Sequence, residues 1–190
     1  MRQAPIKPEA IQQMREILAG IVLGKLRHKQ DVWHCGTAHC VAGWNTVLNH
    51  KDLYEEQRKK RPFQTKGAWR VCTGSSENDG DIAQADWGLN NIEAQFLFGW
   101  AVSLSEQIGL VELLASGQRL GADDYFQTAQ KLDDEVAKYK TRNQRKSWAQ
   151  AVIAKSTPDA KHADFVKELL GRAHKVKEVI EENCVIPIVK

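Results

Sequence analysis

The stretch Pro8-Glu-Ala-Ile11-Gln-Gln-Met14-Arg-Glu-Ile-Leu18-Ala-Gly-Ile21-Val22 decides the fold class. Ile11, Met14, Leu18, Ile21 and Val22 recur at spacings of three and four, the pattern of one apolar stripe on an amphipathic helix. Pro8 suits a first helical turn, where its missing N–H has no partner to lose. The spacing predicts a helix from Pro8 to about Arg27, broken by the polar Lys29-Gln-Asp31 segment.

The same reading extends along the chain. Thr37 is a candidate cap for a second helix, with Cys40, Ala42, Gly43, Trp44 and Val47 on its inward face. Residues 50–81 read as an irregular insertion, a charged run followed by Thr-Gly-Ser-Ser-Glu-Asn-Asp-Gly-Asp. Asn90 and Glu93 form a capping-box pattern ahead of a helix containing Ile92, Phe96 and Leu97. Another helix is expected from about Ser105, carrying Ile108, Val111, Leu113 and Leu114 and stopping at Gly117. More polar helices follow over 122–140 and 147–155. A last one is capped by Thr157 and led by Pro158, and Pro187 then bars helix in the terminal Cys-Val-Ile-Pro-Ile-Val-Lys. The expectation is an all-α protein: a small helical core domain at 1–117 with the insertion at 50–81, then a helical C-terminal extension at 118–190 with an extended apolar tail.

Composition narrows the function classes. The 190 residues hold 27 basic and 24 acidic side chains, a formal charge of +3, which excludes a uniformly basic nucleic-acid coat but not a local patch. The longest apolar stretches, Ile17–Gly24 and Phe96–Leu104, fall well short of the roughly 20 residues that span a bilayer. The first residues lack the apolar segment of a secretory signal, so a cytoplasmic location is expected. Cys35, Cys40, Cys72 and Cys184 are too scattered for a secreted disulfide framework.

The unusual chemistry lies in Trp33-His34-Cys35-Gly36-Thr37-Ala38-His39-Cys40-Val41-Ala42-Gly43-Trp44. With Thr37 as the cap, Cys40 would be the third helical residue, its thiol pKa lowered by the helix dipole. Three readings follow. In the structural one Cys35 and Cys40 tie a turn, where a disulfide closing so short a loop would contribute about 2 kcal/mol. A zinc site would draw on His34, Cys35, His39, Cys40 and Cys72, although Cys-x4-Cys lacks the usual spacing and a second matched pair. Redox or nucleophilic chemistry would use Cys35 or Cys40 beside histidine, without a Cys-x-x-Cys motif.

The pattern Cys-Gly-Thr-x-x-Cys-x-Ala-Gly-Trp resembles a motif of small, uncharacterised bacterial proteins, cyanobacterial and phage ones among them. Trp87-Gly88-Leu89 and Glu93-Ala94-Gln95-Phe96-Leu97-Phe98 look like a second element of the same proteins. The resemblance covers residues 8–48 and 83–99 and implies one helical domain; it implies no activity.

Other patterns are weaker. Residues 75–86 partly resemble a calcium loop, but Ser75 replaces the first Asp and Asp86 the final Glu, which favours a solvated acidic loop. Two basic runs, Arg58, Lys59, Lys60, Arg61, Lys66, Arg70 and Lys138, Lys140, Arg142, Arg145, Lys146, lie near Trp69 and Trp148. These runs, with the apolar tail Val185, Ile186, Ile188 and Val189, are candidate partner-binding residues. No constellation of catalytic residues is evident and no cofactor is expected apart from the zinc alternative. The reading is a non-enzymatic interaction protein, an accessory, linker or assembly subunit of a larger bacterial complex whose partners are protein subunits. A thiol-redox or zinc protein, and a nucleic-acid binder acting through 58–70 and 138–146, are the alternatives.

Overall fold

The computed structural model describes residues 4–26, 34–35, 38–53, 79–99, 101–121 and 125–156, with only the backbone described at 34–35, 38–39 and 125–127. Helix α1 spans Pro8–Val22, with Pro8 and Glu9 in its first turn. Ile11, Met14, Leu18 and Ile21 of its stripe are buried as expected, Met14 and Leu18 fully so, while Val22 is half-buried. It ends at Val22 rather than near Arg27. Gly24 adopts a φ of +69°, a left-handed conformation that closes the helix. The Gly24 and Lys25 N–H groups donate to the Ile21 and Gly20 carbonyls at 3.0 and 2.8 Å. Leu26 then folds back over Gly20, where a β-carbon would lie 2.8 Å from Leu26 Cγ.

A two-residue antiparallel ladder, His34–Cys35 with Ala38–His39, pairs His34 with His39 and Cys35 with Ala38. Helix α2 is Val41–Asn49, buried continuously from Val41 to Val47. Helix α3, Asp79–Trp87, begins inside the segment expected to be irregular. Asp79 is buried there and accepts the Thr46 hydroxyl at 2.7 Å, a partner 33 positions away that local sequence cannot reveal. Residues 51–53 are also helical, and the remainder of the expected insertion lies outside the described residues. After Gly88 (φ +64°), helix α4 spans Asn91–Phe98 and carries the expected Asn90–Glu93 capping box. Its Leu97 is buried, whereas Ile92 faces solvent with 44% of its surface exposed.

Helix α5, Leu104–Ala115, is capped reciprocally by Ser103 and Glu106 and stops before Gly117 (φ +80°). Helix α6 spans Tyr125–Ala137, and α7 spans Arg142–Lys155. The last begins five residues before the expected Ser147, because Thr141 and Gln144 form a third capping box. These two helices, which the sequence places in the C-terminal extension, pack on α5 and α1 respectively. All the described residues fall in the unit that runs to Ser156. The α5–α6 contact is tight at Gly109, where a β-carbon would meet Val136 Cγ2 at 2.7 Å and its backbone N at 3.0 Å. The α1–α7 contact is built from Ala19, Ala149 and Val152, flanked by Val22, Leu23, Trp148 and Ile153. The architecture is all-α. Among the described residues no helix is long and apolar enough to cross a membrane. The helix expected from Thr157 and the tail at 184–190 lie outside them.

Two ion pairs fasten the helices. Glu93, fully buried, receives Arg119 in bidentate fashion at 2.8 and 2.7 Å, together with the Leu120 and Asn90 N–H groups at 3.0 Å each. Arg119 also donates to the carbonyls of Gly88 at 2.9 Å and Ala4. On the other side, Arg15 of α1 grips Glu112 of α5 at 2.7 and 2.5 Å. Beneath α4, Gln107 donates to the Leu97 carbonyl at 2.7 Å, while its Oε1 is buried with no hydrogen-bond partner.

Removing one partner of a buried pair strands the other charge, so Glu93→Ala should destabilise the fold by about 3–5 kcal/mol in urea titrations. Gly109→Ala forces α5 from α6 and should lower stability by about 1–3 kcal/mol, seen as a shifted midpoint with unchanged slope.

Candidate functional site

Cys40 precedes α2 as its cap rather than lying inside it. Its sulfur accepts the Gly43 N–H at 3.3 Å. The thiol is free and 1% exposed. Burial pushes its pKa up to about 12; the nearby Asp79 carboxylate adds to the rise and the Gly43 N–H opposes it. The expected lowering by the helix dipole is therefore overturned. The helix starts at Val41, and desolvation outweighs what its first amides supply. Ala42, Gly43, Trp44 and Val47 are all buried, as the inward face requires.

Of the candidate metal ligands His34, Cys35, His39, Cys40 and Cys72, only Cys40 has a described side chain. The backbone ladder sets His34 opposite His39, and Cys72 lies outside the described residues. Among the described residues, no group of three or more His, Cys, Asp or Glu side chains gathers as a metal site would require. The calcium-loop pattern does not survive as a loop. Asp79 and Asp86 sit in helix α3 and are bonded to residues of α2.

The two sequence elements Cys40–Trp44 and Trp87–Phe98 meet in space, since α2 packs against both α3 and α4. Trp87, Leu89, Glu93, Ala94 and Leu97 are buried in the second element. A polar chain runs along this junction. The Trp87 indole N–H donates to Gln13 Oε1 at 2.7 Å, and Gln13 and Asn49 exchange amide hydrogen bonds at 2.7 and 2.9 Å. Asn49 donates to Asn45 at 2.7 Å, Asn45 to Asp86 at 2.6 Å, and His50 Nε2 lies 2.7 Å from the same Asp86 oxygen. A carboxylate partner requires the proton on Nε2. All of these groups except Asn45 border an open cleft of about 380 Å³, completed by Lys7, Glu9 and Ala10. Sequence reasoning did not find this cluster. Asn45 and Asn49 stand one helical turn apart, but their partners lie 36 to 41 positions distant.

The second basic run divides by role. Arg145 Nη1 donates to Ser105 Oγ and to the carbonyls of Tyr139 and Lys140, so this cation braces the turn between α6 and α7. Lys138 pairs with Glu135 at 2.6 Å. Lys140, Arg142 and Lys146 are exposed. Trp148 is half-buried, its N–H on Glu112 at 3.0 Å and its ring edge-on to Tyr139 at 6.1 Å. Burial, then the Glu112 and Glu135 carboxylates, push the Tyr139 pKa up to about 12. Arg58, Lys59, Lys60, Arg61, Trp69, Val185, Ile186, Ile188 and Val189 lie outside the described residues.

No protein-family model, no curated protein and no solved structure matches this chain.

A thiol held neutral in a sealed cap should resist alkylation. Peptide-level mass spectrometry should find Cys40 unmodified by iodoacetamide in the native protein at mildly alkaline pH and fully modified in denaturant. The raised pKa also sets a sign. Above the ordinary thiol value of 9.0 the unfolded chain releases a proton that the folded one keeps, so stability falls from there toward pH 12. Tyr139 acts likewise above its ordinary 10.0. Urea midpoints measured against pH should show this fall, and Cys40→Ala should remove its earlier part while leaving the Tyr139 part.

Proposed function

We propose that this chain is a non-enzymatic helical interaction protein, an accessory, linker or assembly subunit of a larger complex. On this reading the Cys35–Trp44 segment is a structural turn that locks the first helix onto the second. The observation that carries it is the inward use of the motif. Cys40 is sealed as a cap, Trp44 is buried, and α2 docks through Asn45, Thr46 and Asn49 onto α1 and α3. The inward burial of residues 40–47 supports a packing role for that part of the segment, and on this reading the outer faces of the helices are the working surface. Thiol-redox or zinc chemistry at Cys40 draws less support, since it would require the thiol to shed a proton that burial retains.

Native mass spectrometry of the chain, purified gently without reductant from its own cells, tests the proposal. The expected result is the 21.4 kDa chain bound to a second protein chain in fixed stoichiometry. A bare monomer under these conditions would overturn the reading, and a stoichiometric zinc adduct would replace it with the metal alternative.

A further inference from the structure

Helix α7 opens on cations, with no acid in its first turn. From Val136 to Pro158 the chain contains no acidic residue, yet it holds Lys138, Lys140, Arg142, Arg145, Lys146 and Lys155. Arg142 and Lys146 stand one turn apart on the same face, where like charges repel. Both lie in the first turns of α7, near the positive end of its dipole, and no acid stands there to offset them. The helix gains no stability from this arrangement. Its end is already closed by the Thr141–Gln144 capping box and its inner face is fastened by Ala149 and Val152. A local rule broken without structural return points to a partner.

The identity of the exposed residues says which kind. The outward positions of α7 are Arg142, Asn143, Gln144, Lys146, Ser147, Gln150, Ala151, Ala154 and Lys155, with Lys140 just before them. None is aromatic or large and apolar, so Arg142 is the one residue of this face of the kinds that anchor protein–protein interfaces. Arg, Lys, Asn, Gln and Ser are instead the side chains that contact phosphate and sugar along a nucleic-acid backbone. Trp148, the aromatic residue of this helix, is tied to Glu112 and Tyr139 rather than offered for base stacking. Lys140, Arg142 and Lys146 form no ion pair with any described residue.

We infer that the outer face of α7, with Lys140, Arg142 and Lys146 as its cations, is a docking surface for the phosphate backbone of duplex nucleic acid, read without sequence preference. This goes beyond the protein-assembly reading and does not depend on it. Failure to find a protein partner would leave the surface intact, and failure of the surface would leave the protein partner intact.

Fluorescence anisotropy of a labelled random-sequence DNA duplex, titrated with the full chain at low salt, tests it. Saturable binding is expected, with a slope of log affinity against log salt of about −2 to −3, from about −0.9 per phosphate neutralised by three cations. The variant Lys140→Ala/Arg142→Ala/Lys146→Ala, with its helical circular dichroism unchanged, should bind about tenfold more weakly and with a flatter slope. Lys25→Ala/Lys131→Ala, which removes two exposed cations elsewhere, should bind as the parent does. Absence of binding at low salt, or a triple variant that binds like the parent, would overturn the inference. Competition by polyglutamate as strong as by unlabelled duplex at equal charge would also overturn it, by assigning the face to an acidic protein surface.

Discussion

A carboxylate with no exposed surface must be surrounded by donors or it will not remain ionised. Glu93 meets that demand with two Arg119 nitrogens and two backbone N–H groups, and each donor comes from a different requirement of the fold. The Asn90 N–H fixes where α4 begins. Arg119 and Leu120 bring back the chain that leaves α5. Arg119 in turn reaches the Gly88 carbonyl at the end of α3 and the Ala4 carbonyl ahead of α1. The start of the chain, the turn between two helices and the exit from a third are thus set by one charge. Asn90 seals the arrangement by donating to the Leu120 carbonyl at 2.6 Å.

Such a hub explains what could be read in the sequence and what could not. The stripe of α1, the Asn90–Glu93 pattern and the Gly117 stop all concern residues within one or two turns of each other, where spacing carries the information. The second role of Glu93 depends on an arginine 26 positions away, which no window contains. Thr141 and Gln144 show the opposite failure. Their capping pattern was present in the sequence, but the basic residues around it drew the reading toward charge. Ile92 was placed with the apolar residues of α4 and faces solvent, since a single large side chain does not define which face is buried.

In the Cys/His segment the described residues depart from the sequence expectation at the helix start. Serine, threonine and aspartate are the residues expected at a helix start, so Thr37 points to a start three residues upstream of the real cap, Cys40. Sulfur is a weak acceptor, yet at Cys40 it takes the Gly43 N–H from a buried position. That burial reverses the expected direction of its titration. The Gln13–Asn49–Asn45–Asp86–His50 chain had no sequence signature because each of its residue types is ordinary, and only the docking of α1, α2 and α3 brings them together.

Helix α1 touches α2, α3, α5 and α7, and its partner α7 begins 120 residues after α1 ends. For a helical protein this is a non-local topology, and its closure must follow the ordering of nearly all the intervening chain. As the polypeptide leaves the ribosome, Ala19, Val22 and Leu23 face water until residues 142–155 have emerged. A chain that stops short of Thr141 retains every other contact of α1 and presents that strip permanently, an adhesive edge of the kind chaperones and proteases read.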